Sequence, residues 1–323
     1  MFSSLVTCYL FLGGTGAGAC FIASMLAKLS PRGLRESAGE ARSYQRLLAP
    51  SFAAAFALLA LGVLCLMVDL GRADRLLLLV TSPTLVHITV GAYALLFTLA
   101  LSAALALLWR RARLGASARA LRSALEAVSL VTAGVTMAYT GLLLQAQAAV
   151  PLWASPWLPV LFVLSSLSCG AAATLVTAQF TGAARTFSRV FARMASVDAV
   201  LILLEAAVLT ALLATASRGG VLDGQSALAA QTSAEMLTGG ALSEVFWGVL
   251  VAAGLVAPFV LDVVVALSRP PWPARYSAAD ALRVQLPGIS LVAAACVLAG
   301  GAALRFCMVE AGIHPIVSTL GVM

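Results

Sequence analysis

The sequence predicts an all-α integral membrane bundle of eight transmembrane helices. Of the 323 residues, 62% are hydrophobic and only 10% are charged, against about 25% charge in an ordinary soluble domain. The apolar residues also gather into eight blocks, each near the roughly 20 residues that a bilayer crossing needs. These blocks are residues 5–28, 50–70, 84–109, 123–146, 157–180, 194–216, 241–267 and 287–311. The connections are too short for a soluble domain, so residues 1–323 read as one domain whose backbone polar groups are satisfied inside helices.

The first block has no basic residue ahead of it, is too long for the apolar core of a signal peptide and carries its positive charge at the far end, so it reads as a retained helix. It contains "LFLGGTGAGAC" at residues 10–20. Gly14, Gly16 and Ala19 satisfy the dinucleotide-binding pattern, and Glu36 lies near the offset of a ribose-binding acid. The context excludes that use, because no strand precedes the glycines and the phosphate would be buried in hydrocarbon. Gly14-x-x-x-Gly18 permits close helix packing instead. Two readings stay open for these glycines, helix contact alone or contact plus room for a flat ligand.

The second block ends at Asp69 in "VDLGRADR", and the third opens beside His87. The fourth holds Glu126 near its start, where it would reach for the nearer surface, and Tyr139 in "MAYTGLLLQAQ" toward the far side. The fifth carries no charge at all, whereas the sixth contains Asp198 and Glu205 in "DAVLILLE". Seven residues make two helical turns, so both acids share one face. They would form an acidic ladder for proton movement, a partner for a bundle arginine, or a structural clamp. The seventh contains Glu244 and Asp262, and the eighth contains Arg305 in its outer third, where it would snorkel or pair with an acid such as Asp69. Ionisable groups inside spans cost about 2.5–3.5 kcal/mol near a helix centre, so each is a functional candidate.

The net charge of +7 is explained by topology. Lys28, Arg32, Arg35, Arg42 and Arg46 follow the first block, and Arg110, Arg111, Arg113, Arg119 and Arg122 the third. Arg185, Arg189 and Arg193 follow the fifth, and Arg269, Arg275 and Arg283 the seventh. The alternate connections hold Arg72, Arg75 and Arg218. By the positive-inside rule the richer connections face the cytoplasm and both termini lie outside, in the cytoplasmic (inner) membrane. Nucleic acid is excluded as a partner. Cys8, Cys20, Cys65, Cys169, Cys296 and Cys307 are scattered singly, without the spacing of a cluster or zinc site. The only histidines are His87 and His314, so no haem or iron–sulfur cluster is expected in this protein.

On the outer side, Tyr9, the glycines, Asp69, His87, Tyr139, Glu244, Trp247 and Arg305 share one depth. Apolar walls with a few hydroxyl or carboxylate groups suit a quinone, whose carbonyl oxygens need donors.

"YLFLGGTGAGA", "VDLGRADRLLLL", "YTGLLLQAQAAVPLW", "DAVLILLE" and "LAGGAALRFCMVEAG" together resemble the NrfD-like membrane subunits of polysulfide reductases, relatives of the dimethyl sulfoxide reductase anchors. The resemblance implies a menaquinone or ubiquinone site near the outer face. It also implies a partner iron–sulfur subunit that passes electrons to or from a molybdopterin catalytic subunit. By position, Tyr139 would donate a hydrogen bond to the quinone, with Asp69 and Gly71 lining or supporting the site. Gly14, Gly18, Tyr9 and His87 complete the expected quinone-binding set, and Asp198, Glu205, Arg305 and Glu244 the proton-transfer set.

One departure stands out. Relatives often carry a histidine where this sequence has Tyr9, and a phenol, with an ordinary pKa of about 10, does not readily accept a proton near pH 7. Asp69, His87 and Glu244 are the substitutes. Two rivals remain: a secondary transporter using intramembrane acids, and a purely structural anchor. The connection at 217–240 would carry a short surface helix over Ser226 to Leu237, either a docking edge for the partner or a plain loop.

Overall fold

A computed structural model of the protein describes residues 4–29, 38–70, 87–111, 115–147, 150–218, 224–267 and 287–319. Eight helices are long and apolar enough to cross a membrane: α1 (Ser4–Leu29), α2 (Ala38–Leu70), α3 (His87–Arg110), α4 (Ala116–Gln145), α5 (Trp157–Phe180), α6 (Ser188–Ser217), α7 (Val245–Val256 continuing as Ala257–Leu267) and α8 (Pro287–Thr319). No strand occurs among the described residues. α2 begins at Ala38, although its apolar block starts only at residue 50. A helix does not stop where hydrocarbon stops, so the polar stretch at 38–49 extends it.

Eight alternating spans bring Ser4 and Thr319 to one end, here the terminal end. The last residues of α1, α3, α5 and α7, which the arginine-rich stretches of the sequence follow, lie at the opposite, basic end. α1 packs on α2, α4 and α5, and α5 in turn meets α6 and α8, with α7 against α6 and α8. Large apolar side chains such as Leu61, Val68, Phe97, Val131 and Val197 are exposed around the outside, as a bilayer requires.

With no hydrophobic drive between helices in lipid, close backbone approach is what joins them. Gly18 is the decisive case in α1: a Cβ there would run into the Ser166 carbonyl and Gly170 of α5. Gly254 of α7 and Gly300 of α8 are in the same relation, each occupying the place of the other's missing side chain. Residues Val245–Val256 are wound as a π-helix, wider than an α-helix and common at functional sites. The α pattern resumes at Ala257 beside Pro258, whose ring nitrogen supplies no donor. The expected surface helix is present at Gly224–Thr238. It lays Ala230, Ser233, Ala234 and Leu237 against the bundle, in contact with α6 and α8.

Glu126 does not reach for the surface. It is fully buried, accepts a hydrogen bond from Trp109 Nε1 at 3.1 Å and lies 3.6 Å from Arg122 Nε. Arg122 in turn covers the Trp109 ring at 3.9 Å, so the acid is held by partners from α3 and α4.

Candidate functional site

Three polar centres lie along the interior. Toward the terminal end, Tyr9 of α1 and Tyr139 of α4 are 1% and 6% exposed and bring their hydroxyls toward each other. The Tyr9 hydroxyl nevertheless has no partner in hydrogen-bond geometry, which is unusual for a buried phenol. Both rings belong to an apolar cluster with Val6, Leu10, Leu95 and Met137. Tyr139 owes its position to Gly91 of α3: its ring fills the space where any Cβ at that residue would stand. Thr98 and Thr136, with hydroxyls 3.1 Å apart, tie α3 to α4 one turn below.

At mid-bundle, Arg305 of α8 neither snorkels nor reaches toward Asp69; it is fully buried. Its Nη1 donates to Ser165 Oγ at 2.7 Å and to the Gly301 carbonyl at 2.9 Å, while Nη2 donates to Ser166 Oγ at 2.9 Å. The guanidinium lies 5.3 Å from the Phe162 ring centroid, within cation–π range. Its acidic neighbour is Glu205 of α6, close enough for a charge interaction and within reach of Ser165. The helical side-chain direction explains the geometry: a long side chain leans toward its helix N-terminus, so Arg305 points back into the bundle. Gly14 clears the way, because a Cβ there would press on Ser166 Oγ and Arg305 Nη2. Arg305 Nε and Thr15 Oγ1 remain without partners.

Toward the basic end, Asp198 and Glu205 do share the inward face of α6, at 8% and 5% exposure. Asp198 meets Asp262 of α7, a contact that sequence spacing could not reveal because the two acids lie on different helices. A cavity of about 80 Å³ opens beside them, with Gln179, Arg185, Phe191 and Ala294 in its lining. Farther in, Ser165, Ser168, Cys169 and Glu205 line a narrow gap with no room for a water molecule.

The remaining expected residues are dispersed. Gly18 is committed to the α1–α5 contact and leaves no room for a ligand at its position. Asp69 is half-buried at the end of α2, and Glu244 is exposed at the start of α7. Gly71 lies outside the described residues, as does the side chain of His87. Neither the cavity nor the gap reaches the tyrosine pair. Gly91 is the residue that sequence reading passed over, and Asp262, expected only as one more acid near a helix end, gains its pairing with Asp198 from the fold. Gly91 gave no signal at all, and Asp262 differed from an end-of-helix acid only in burial.

The family model for polysulphide reductase, NrfD, matches residues 1–316. The protein belongs to the NrfD polysulphide reductase family. It is similar to the polysulfide reductase C subunit of Wolinella succinogenes, with 32% identity over 188 residues, 58% of this sequence and 53% of that protein. The alignment thus spans about half the length of that curated relative. Eight apolar spans and membership of the NrfD family make it a multi-pass membrane protein.

Proposed function

We propose that this NrfD protein is the quinone-handling membrane subunit of an oxidoreductase complex, exchanging electrons between the quinone pool and a docked iron–sulfur subunit that serves a molybdopterin subunit. The observation that carries the reading is the tyrosine pair: two buried phenols from α1 and α4, with the Tyr9 hydroxyl unpartnered. A ring system with carbonyl oxygens is what such donors lack, and the surrounding Val6, Leu10, Leu95 and Met137 suit its apolar faces. The fit is to the head group's edge, because Gly18 and its neighbours are closed against α5.

A bound quinol supplies two electrons and two protons when it becomes a quinone. The protein's own task is to orient it and to manage those protons. Tyr139, wedged on Gly91, presents a hydroxyl in a fixed direction. Asp69, half-buried at the same end of the bundle, is in this reading the carboxylate that takes a proton released there. The basic end faces the cytoplasm in this reading, by the positive-inside rule, in the inner membrane. A proton drawn from there would pass Asp198, Ser168, Glu205 and the hydroxyls around Arg305. Along that line Asp198 Oδ1, Ser168 Oγ, Arg305 Nε and Thr15 Oγ1 all lack protein partners.

The test is Tyr139→Phe in the assembled complex. Loss of one oriented hydrogen bond, about 1–1.5 kcal/mol, lowers quinol oxidation about tenfold. Unchanged kinetics would remove the residue from the site. Quinone extraction from the purified complex separates a working site from a bare anchor.

A further inference from the structure

The cavity beside Asp198 is bounded by α5, α6, α7 and α8, and its walls are mostly small apolar side chains. Gln179 near the end of α5 and Arg185 lie toward the basic end, while Asp198 lies farther in, ten residues along α6. Asp198 and Asp262 are each 8% exposed and meet side chain to side chain. Asp198 Oδ1 and Asp262 Oδ2 have no donor, and the Ser168 hydroxyl beside Asp198, 2% exposed, has no partner either.

The charges facing this pair can be named helix by helix. α5 contributes Ser168 and Cys169, both neutral neighbours; α6 contributes Glu205, a further acid. α8 contributes Arg305, which lies beyond Glu205 and is held by Ser165 and Ser166. Arg185 lines the cavity from the short helix Ala183–Thr186. Among the described residues neither aspartate forms an ion pair. Two carboxylates in contact away from water cannot both stay ionised, and an unpaired buried charge costs far more than a neutral acid.

We propose that Asp198 and Asp262 hold one exchangeable proton between them, drawn from the cavity at the basic end. One carboxyl then donates to the other, which turns a like-charge contact into a hydrogen bond. Exchange runs through the cavity's opening past Gln179 and Arg185 on one side. On the other side Ser168 and Glu205 line a tight gap. Asp262 becomes part of a proton-holding pair, a role that its place near the end of α7 does not suggest.

The experiment is infrared difference spectroscopy of the purified complex in lipid nanodiscs at neutral pH, with no substrate present. The wild type is expected to show the carbonyl stretch of a protonated carboxylic acid that shifts on transfer to D2O. Asp198→Asn and Asp262→Asn should each abolish it, because the remaining carboxylate accepts from the new amide. Absence of the band in the wild type, or its persistence in both variants, overturns the proposal. If the variants fail to assemble, carbon-13 aspartate decides in the wild type: a band that does not move with the label belongs to a glutamate and overturns the pair. Because no turnover is involved, this result and that of Tyr139→Phe stand or fall separately.

Discussion

Arg305 Nη1 donates to Ser165 Oγ at 2.7 Å, and the same serine stands within reach of Glu205. One hydroxyl from α5 thus joins a fully buried cation on α8 to an acid on α6. Three helices converge there because the positive charge, once inside, needs oxygen atoms from every side. The expected outcome for Arg305→Met is a loss of about 1.5–3 kcal/mol, the range for hydrogen bonds to a charged group. Adding Glu205→Gln should recover part of it, since the stranded acid is then neutral. Thermal unfolding of the four proteins in detergent checks the cycle, and simple additivity would show that the two groups do not communicate.

The glycines of α1 and α4 make a paired prediction. Gly18→Ala puts a methyl group into the backbone of α5 at Ser166 and Gly170, and neither helix can yield by moving a side chain. Overpacking of this kind costs about 1–3 kcal/mol, so expression and the unfolding midpoint should both fall. Gly134→Ala meets nothing within 4 Å and exchanges a poor helix former for the best, a gain of up to about 1 kcal/mol. Equal effects at the two positions would mean that α1 and α5 are not in backbone contact.

Reading the sequence located the eight spans because hydropathy is a local property, and it put Asp198 and Glu205 on one face because helical period is local too. The partner of Arg305 was not legible: depth along α8 suggested the outer third, but a long side chain leans back toward its N-terminus and met Ser165 and Ser166 instead. Glu126 misled in the same way, since distance from a helix end says nothing of whether Trp109 lies opposite. Asp262 and Gly91 matter only through contacts with Asp198 and Tyr139. A single sequence without its tertiary pairs carries no trace of those.

The Trp109–Glu126–Arg122 group predicts an order of stabilities. Trp109→Phe keeps most of the ring packing but withdraws the 3.1 Å donor from a buried carboxylate, at a cost of about 1.5–3 kcal/mol for a bond to a charged group. Glu126→Gln keeps an acceptor for the indole and needs no counter-charge from Arg122, so it should be the milder change. Chemical denaturation of the two variants in the same detergent ranks them. Greater damage from Glu126→Gln would mean that the ion pair with Arg122, not the indole, holds this corner.

Gly91 gives the sharpest handle on the tyrosine pair because the Tyr139 ring packs directly on its backbone. A methyl group at Gly91 would occupy the place of the Tyr139 ring, and the ring cannot stay where it is. The displaced phenol loses its alignment with Tyr9, although both hydroxyls remain in the protein. Gly91→Ala should therefore lower quinol oxidation at least as much as Tyr139→Phe does, with subunit assembly retained because α3 and α4 are also joined by Thr98 and Thr136. The double variant Gly91→Ala with Tyr139→Leu restores space with a smaller apolar side chain. It should match Tyr139→Leu alone in rate, as expected when both substitutions act through one ring. Steady-state quinol kinetics on the four complexes read this directly, and independent, additive losses would place the effect of Gly91 elsewhere than at Tyr139.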